Sequence, residues 1–300
     1  MADRIRWGVL GAAWIAGRAV IPAIQESRNG RVVALASRRP EAARALAAAH
    51  SIERVHDAYE RLLEDREVDA VYIPLVNSLH KEWSERALEA GKHVLCEKPL
   101  ALNAAEAEQM AAVARREKRH LMEAFMYRFH PRMRAFREAA RETSFVHAGF
   151  GFSMREPSNY RARPDLGGGA LLDVGCYCVD VARWFLGEPD VVSAGARSQD
   201  GVDLTVSAAL RSHDQAVATI WGSFESGERQ LLVVVDAGGP HLLEQPFTAW
   251  RDPDDPYRLM VEAFADSVVN GSAPPRLLEE SIAGLRVLDA IRRDAGLGLL

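Results

Sequence analysis

The sequence is poor in cysteine and has no long apolar run. Its three cysteines are Cys96, Cys176 and Cys178, too few for a disulfide framework and without the paired spacing of a zinc site. We therefore expect reduced, buried thiols and no metal. Charged residues interrupt the longest apolar runs before the roughly 18 residues that a membrane span needs. No apolar signal-peptide core follows Met1, so we expect a cytoplasmic protein without a membrane partner.

The sequence also lacks an excess of positive charge. Lys and Arg number 37 against 42 Asp and Glu, a formal net charge of -5, which makes nucleic acid an improbable partner class. Hydrophobic residues make up 48% and charged residues 26%, as in ordinary soluble globular proteins. A length of 300 residues favours two domains over one.

Short apolar runs alternate with helical stretches in the first part of the chain. The predicted strands are 5–10, 31–36, 70–74, 93–96 and 120–125, and the predicted helices between them are 14–26, 39–49, 59–65, 78–90 and 104–117. Strands separated by helices indicate a buried parallel sheet with right-handed crossovers. We predict a doubly wound Rossmann domain over residues 1–123.

The pattern changes after residue 123. The predicted strands 191–197, 204–210, 216–224 and 230–235 follow one another with only turn residues between them, and the predicted helices are 131–141, 170–186, 256–269 and 275–293. Consecutive strands without crossover helices pair mainly antiparallel. We predict an α+β domain over residues 124–300, built on a mostly antiparallel sheet.

The first predicted strand ends in a candidate phosphate-binding turn. The segment Gly8-Val-Leu-Gly11-Ala-Ala13-Trp-Ile-Ala16 joins this strand to the first helix, where a Rossmann fold binds pyrophosphate at a helix N-terminus. Alanines replace the second and third glycines of the usual motif, so a tight turn without a ligand is the alternative. The strand–helix–strand context favours a cofactor. Its candidate contacts are Gly11, Ala13, Trp14 and Ile15.

The end of the second predicted strand indicates which dinucleotide is bound. An NAD site usually has an acidic residue there, whereas this chain reads Ala36-Ser37-Arg38-Arg39. A hydroxyl and a guanidinium bind a 2′-phosphate that a carboxylate would repel. Ser37 and Arg38 therefore favour NADP, with NAD as the less favoured option. The alternative is that the two arginines are solvated loop charges.

Two further motifs carry groups suited to chemistry. The predicted strand 93–96 ends at Glu97-Lys98-Pro99, on the edge of a parallel sheet where ligands bind. Later, Asp173, Tyr177 and Asp180 follow a glycine cluster at a spacing that places them on one helix face. An exposed lysine and a helix face packed on a loop are the respective alternatives.

Together these motifs resemble the Gfo/Idh/MocA family, named after glucose-fructose oxidoreductase and inositol dehydrogenase, over essentially the whole chain. Two other stretches support the resemblance, Pro74-Leu-Val-Asn77-Ser-Leu-His80 and Glu123-Ala-Phe-Met-Tyr127-Arg128-Phe-His130-Pro131. The resemblance implies a nicotinamide cofactor and hydride transfer to or from a sugar, cyclitol or related alcohol. It also implies a C-terminal sheet that often mediates oligomers, hence a homodimer or homotetramer.

Tyr177 distinguishes two branches of that family. The inositol dehydrogenase branch has histidine there, so this chain is similar to the branch of glucose-fructose oxidoreductase, NADP-dependent D-xylose dehydrogenases and dimeric dihydrodiol dehydrogenases. That similarity implies that Lys98 and Tyr177 are the catalytic pair and that Asp173 contacts substrate. A free tyrosine is a poor base near neutrality. A lysine ammonium about 4 Å away stabilises the phenolate by roughly 4 kcal/mol at an effective dielectric constant of about 20.

The remaining candidate residues have weaker support. Asn77, His80 and Glu97 are candidate cofactor contacts, although His80 is equally suited to a structural role at a helix start. Arg128 is a candidate substrate contact or a salt-bridged boundary residue.

The expected activity is NADP-dependent oxidation of a pyranose such as D-xylose or D-glucose at C1 to a lactone. A trans-1,2-dihydrodiol dehydrogenase and a non-catalytic NADP-binding sensor are the alternatives.

Overall fold

A computed structural model describes residues 4–156, 158–248 and 254–298. The chain forms two compact units, and neither is continuous in sequence. The first unit comprises Met1–Leu100, Glu106–His130 and Ala249–Leu278, and the second comprises Ala101–Ala105, Pro131–Thr248 and Glu279–Leu300. These units differ from the predicted continuous ranges 1–123 and 124–300, because a late segment returns to the first unit.

The first unit is built on a parallel sheet. Its strands are β1 (Ile5–Leu10), β2 (Gly30–Ala36), β3 (Arg54–His56), β4 (Ala70–Ile73), β5 (His93–Cys96) and β6 (Leu121–Glu123). In the described part of the chain the order is β3-β2-β1-β4-β5-β6, and every pairing is parallel. This order confirms the predicted doubly wound fold, whose strand order reverses between β1 and β4.

Helices cover the sheets of both units. The α-helices of the described residues are α1 (Ile21–Glu26), α2 (Pro40–Ala49), α3 (Tyr59–Glu64), α4 (His80–Glu89), α5 (Ala104–Glu117), α6 (Pro131–Ala139), α7 (Cys176–Leu186), α8 (Pro256–Asn270) and α9 (Leu278–Asp294). The predicted helix 14–26 contains a π-helical stretch, Ala16–Val20, before α1. Gly17 lies in that stretch, and a Cβ there would meet Leu46 of α2 at 2.6 Å. Glycine at this position, not singled out in the sequence, lets α2 pack closely.

The helix α8 completes the core of the first unit, although it comes late in the sequence. Its Phe264 packs against Trp7 of β1, with ring centroids 5.4 Å apart, and both side chains are buried. Asn29 donates a side-chain hydrogen bond of 2.9 Å to the Glu262 carbonyl, and Arg28 pairs with Asp266. The apolar contact between Trp7 and Phe264 is therefore accompanied by polar contacts that fix the position of α8.

The second unit contains a mixed sheet. Its strands are β7 (Phe145–Ser153), β8 (Asp190–Gln199), β9 (Val202–Arg211), β10 (Val217–Ser223), β11 (Glu225–Asp236) and β12 (Gly239–Glu244). Among the described residues the order is β12-β11-β7-β10-β9-β8, with β7 and β10 parallel and the other pairs antiparallel. The mostly antiparallel sheet is confirmed, but β7 and β12 were not predicted.

The helix α7 approaches this sheet closely through glycine. It continues a π-helical turn, Leu171–Gly175. A Cβ on Gly222 of β10 would lie 3.3 Å from the Cα of Gly175, so the absence of a side chain there permits backbone-to-backbone contact. This packing fixes the position of the segment that carries Asp173 and Tyr177.

The three cysteines are free and buried, as expected. None of the described helices combines the length and the apolarity required to cross a bilayer. Within residues 4–156, 158–248 and 254–298, no group of three or more His, Cys, Asp or Glu side chains is placed to hold a metal ion.

Candidate active site

The candidate cofactor residues of the first unit gather at one edge of its sheet. Gly11 follows β1, Ser37 follows β2, Asn77 follows β4 and Lys98 follows β5. Since the carboxyl ends of parallel strands lie at the same edge, the topology brings these segments together around the β1–β4 switch point.

Gly11 forms the turn that the sequence predicted. Its φ is +113°, and its N–H donates to the Ala36 carbonyl at 2.7 Å. A Cβ on Gly11 would also lie 2.9 Å from the end of the Leu75 side chain, but it is the positive φ that requires glycine here. Ala13 lies in the turn at the start of the helix, and its carbonyl accepts the Ala16 N–H at 3.1 Å.

Next to Gly11, the helix start presents side chains of different accessibility. Trp14 is 75% exposed and Ile15 is half-buried. A narrow glycine turn at a helix N-terminus fits a pyrophosphate.

Arginines lie beside this turn, after β2. The Arg38 guanidinium lies over the rings of Tyr59 and Trp83, 5.3 and 5.8 Å from their centroids. Arg39 donates to the Ala12 carbonyl at 2.7 Å, so it spans from the end of β2 to the phosphate-binding turn. Ser37 is buried, and its hydroxyl accepts the Arg39 N–H at 3.1 Å. The two rings pack against Arg38, which is exposed to solvent at the edge of the sheet where the cofactor candidates lie.

His80 is completely buried at the start of α4. Its Nδ1 lies 2.8 Å from the Pro99 carbonyl and its Nε2 lies 3.0 Å from the Leu75 carbonyl. The ring thus joins the segments that follow β4 and β5. A cofactor contact by the ring requires that one nitrogen leave its carbonyl, so this geometry favours the structural alternative for His80. Asn77, one turn earlier, is buried.

Two carboxylates, the half-buried Glu97 and the buried Glu123, hold the turn that carries Lys98. Glu97 accepts a hydrogen bond of 2.6 Å from the Tyr72 hydroxyl, and its other oxygen lies 3.3 Å from the Lys98 N–H. Burial raises the pKa of Glu97. On the far side, Glu123 accepts the Leu100 N–H at 2.9 Å and lies 3.4 Å from Arg276. The Glu97 side chain is therefore engaged in supporting the turn, and its contact with a cofactor stays a prediction.

Arg128 lies beyond the end of β6, in the 3₁₀ turn Met126–Phe129. It is half-buried, and its guanidinium lies 6.0 Å from the centroid of the Tyr127 ring. The structure places it at the same sheet edge as the other first-unit candidates, and its contact with substrate stays a prediction.

The second unit contains Asp173, Tyr177 and Asp180. Asp173 lies in the π-helical turn and the other two lie in α7, and all three are buried. The Tyr177 ring packs against Phe150 and Phe247, with centroid distances of 5.6 and 5.3 Å. π-Helical turns often occur at functional sites.

Arg161 is a member of this cluster that the sequence did not identify. Its Nε donates to Asp173 at 2.6 Å, and the two side chains are 30% and 5% exposed. Burial disfavours the charge of Arg161, but the neighbouring Asp173, Tyr160 and Tyr177 outweigh that cost and raise its pKa. Arg161 lies in a short 3₁₀ turn, Tyr160–Ala162, in a segment without a periodic pattern, so the sequence offered no signal for this contact.

The glycine cluster positions both ends of this arrangement. A Cβ on Gly168 would lie 2.5 Å from the Arg161 carbonyl oxygen and 2.8 Å from that of Arg163. Gly169 has a φ of +121°, and a Cβ there would meet Asp203 at 2.1 Å. Asp203 accepts the Leu171 N–H at 2.6 Å at the start of the π-helical turn, and burial raises its pKa to about 6. The glycines therefore bring the Arg161 loop and the Asp203 cap to the same helix start.

We expect Gly168→Ala to lower the free energy of unfolding by about 1–3 kcal/mol, because the new methyl group would press on backbone oxygens that are held by hydrogen bonds. Gly195→Ala in β8 is the matched control, since a Cβ there meets nothing within 4 Å. Urea unfolding followed by circular dichroism measures both variants. Equal stability of the two would show that the loop yields freely.

The two units define the class of protein. A Rossmann sheet with a glycine turn and a basic second-strand end binds a dinucleotide, and a buried tyrosine with a carboxylate suits proton transfer to and from an alcohol. These features are those of a dinucleotide-dependent oxidoreductase.

Comparison with known proteins identifies the family. Residues 5–125 match the oxidoreductase family with an NAD-binding Rossmann fold, and residues 142–239 match the GFO/IDH/MocA C-terminal domain. The chain belongs to the GFO/IDH/MocA oxidoreductase family.

Similar proteins cover nearly the whole chain. D-xylose 1-dehydrogenase (NADP(+)) 2 from Haloferax volcanii is 39% identical over 97% of this chain and 98% of its own. Trans-1,2-dihydrobenzene-1,2-diol dehydrogenase from Xenopus tropicalis is 36% identical over 69% of this chain and 65% of its own. A crystal structure of a point mutant of a 3-ketoreductase from Actinomadura kijaniata, in complex with TDP-benzene and NADP, has a TM-score of 0.92 at 32% identity and covers 97% of this chain and 98% of its own.

Proposed function

We propose that this protein is an NADP-dependent dehydrogenase that oxidises a pyranose such as D-xylose or D-glucose at C1 to the lactone. The observation that carries the proposal is the cluster of the buried Tyr177 and Asp173 with the half-buried Arg161, which combines an acid/base with a paired carboxylate suited to hydroxyl groups. The similarity to a D-xylose 1-dehydrogenase supports the substrate class. The basic end of β2 and the NADP-bound structural relative support the cofactor.

The proposed roles follow from what each side chain can do. When bound, the nicotinamide exchanges a hydride with the alcohol carbon. Tyr177 takes the proton of the reacting hydroxyl and returns it in the reverse direction. Asp173 accepts a hydrogen bond from a substrate hydroxyl and orients the ring. Lys98 is the electrostatic partner of Tyr177, and this pairing rests on the sequence resemblance.

In the first unit, the turn at Gly11, with Ala13, Trp14 and Ile15, would hold the pyrophosphate. Ser37 and Arg38 would hold the 2′-phosphate. Asn77 and the segment at Glu97 and Lys98 would lie along the nicotinamide riboside.

We expect Arg38→Ala to weaken NADP binding about 10- to 100-fold, the equivalent of one lost charge-assisted hydrogen bond, and to change NAD binding little. Arg61→Ala is the control, because Arg61 is exposed and paired with Glu64 at 2.9 Å. Fluorescence titration with each dinucleotide measures the dissociation constants. An equal loss for NAD and NADP would contradict a role of Arg38 at the 2′-phosphate.

The activity is tested by following absorbance at 340 nm with NADP and a panel of aldoses, inositols and diols. Turnover of D-xylose or D-glucose is the expected result. Tight NADP binding without turnover of any substrate would favour the non-catalytic sensor. Such a sensor has no need of Lys98, Asp173 and Tyr177 together.

A trans-1,2-dihydrodiol dehydrogenase is the second candidate. The rings of Phe150 and Phe247 beside Tyr177 would suit a flat, apolar substrate, and a named dihydrodiol dehydrogenase is among the relatives. Preferential turnover of the diol over the aldoses would favour this candidate.

A cytoplasmic homodimer or homotetramer stays a prediction. Exposed apolar side chains on the strands of the second sheet, Val192, Val217 and Leu242, would suit association. Light scattering measures the oligomeric state.

A further inference from the structure

Arg161 is held by contacts of both its side chain and its backbone. Its guanidinium lies over the rings of Tyr160 and Phe152, 4.8 and 5.9 Å from their centroids. The backbone N–H of Arg161 donates to the Asn159 side chain at 3.1 Å, and the backbone carbonyl of Arg161 accepts the Gly169 N–H at 3.0 Å. The backbone and the side chain of Arg161 are therefore both held by contacts that do not involve Asp173.

The ion pair between Arg161 and Asp173 is short, and its carboxylate is almost completely shielded from solvent. The Nε–Oδ2 distance is 2.6 Å, and the Asp173 side chain is 5% exposed. A carboxylate this buried keeps its charge only with a partner, because desolvation favours the neutral acid. Arg161 is such a partner, and with it Asp173 remains a hydrogen-bond acceptor.

The charge of Arg161 also acts on the tyrosine that follows on the same helical segment. A phenol that passes a proton becomes transiently negative, and an uncompensated carboxylate nearby would oppose that charge. Tyr177 and Asp173 both act on the charge of Arg161. A guanidinium that pairs with Asp173 and interacts electrostatically with Tyr177 offsets the carboxylate and favours the phenolate.

We propose that Arg161 is a positioning residue of the reaction. It holds Asp173 ionised in one orientation, and its positive charge offsets the effect of the Asp173 carboxylate on Tyr177. The inference rests on the proposed function for the reaction that it serves. Within the second unit, the titratable groups around Tyr177 are Arg161 and Tyr160 from the preceding segment, and Asp173, Cys176, Cys178 and Asp180 from its own helical segment. The facing residues from β7 and from the segment after β12, Phe150 and Phe247, carry no charge.

The first test is a double-mutant cycle on the turnover of the substrate that the wild-type protein uses. We expect Arg161→Gln to lower kcat/KM about 100-fold, in the range for breaking a buried charged pair, with NADP affinity unchanged. Arg161→Lys, which keeps the charge, should recover at least about tenfold of that loss. The double variant with Asp173→Asn should be about as impaired as the worse single variant, because the two residues act as one unit.

Arg163→Gln is the matched control for this cycle. Arg163 stands two positions away in the same loop and pairs with the exposed Asp165 at 2.6 Å, so its loss should leave kcat/KM unchanged. An unimpaired Arg161→Gln variant would overturn the inference, and so would losses that multiply in the double variant. If Arg161→Gln does not fold, Arg161→Met, which also removes the charge, takes its place in the cycle.

The second test needs no substrate. In protein labelled with ¹³Cζ-tyrosine, the Tyr177 resonance is identified by its absence in Tyr177→Phe. We expect its ionisation to move to higher pH in Arg161→Gln and to stay in place in Arg163→Gln. An unchanged ionisation in Arg161→Gln would overturn the inference even where turnover supports the proposed function. A wild-type protein that turns over no substrate would overturn only the proposed function.

Discussion

Replacement of Tyr177 by phenylalanine is expected to lower kcat by about 10²- to 10⁴-fold, the range for loss of a general acid/base. Phenylalanine keeps the ring contacts with Phe150 and Phe247, so the variant removes the hydroxyl and little else. NADP affinity should stay unchanged, because the proposed dinucleotide contacts belong to the first unit. Steady-state kinetics at saturating NADP, together with a fluorescence titration of the cofactor, measures both effects.

The control for this variant lies next to Tyr177 on the same helix. Cys176→Ser retains a donor for the Asp173 carbonyl, which the thiol meets at 3.5 Å, and it should change kcat less than about threefold. Near-normal turnover by Tyr177→Phe would remove Tyr177 from the chemistry. A comparable loss in both variants would instead indicate damage to the helix.

Replacement of Lys98 by methionine is expected to lower kcat/KM about 100- to 1,000-fold near pH 7. If Lys98 has the role proposed for it, a cation about 4 Å from a phenol would be worth roughly 4 kcal/mol before solvent screening. Methionine keeps the length of the side chain without the charge. The loss should shrink as the pH rises, because hydroxide then performs the deprotonation that the cation had favoured. The pH profile of kcat/KM measures this change.

Lys81→Met provides the comparison for Lys98. Lys81 pairs with Glu85 at 2.9 Å on α4, within the same unit, and its loss should leave the profile in place. A Lys98→Met variant with reduced activity but an unshifted pH profile would assign Lys98 to binding only.

The sequence predicted strands well where burial is continuous and poorly where glycine makes room for a neighbour. β1 and β5 have the predicted bounds because their apolar runs are short and buried. β7 was missed because its glycines weaken the strand pattern. A Cβ on Gly151 would lie 2.7 Å from the Trp221 ring, so the glycine that hides the strand from the sequence is required by its packing.

The sequence likewise identified some residues of the candidate site and missed others. Gly11, Arg38, Lys98 and Tyr177 stand in contiguous motifs. The first three follow β1, β2 and β5, and Tyr177 lies in α7. Arg161 belongs to no motif. Its contact with Asp173 exists because the chain turns back through Gly168, a three-dimensional relation that spacing along the sequence does not encode.

The late return of α8 to the first unit has a consequence for how the protein is made. A ribosome that has released residues 1–130 has produced every strand of the Rossmann sheet, yet the face of Trp7 that Phe264 covers is still bare. The first unit can close only after most of the second has left the exit tunnel. Folding of the first unit therefore depends on a segment that is synthesised after most of the second.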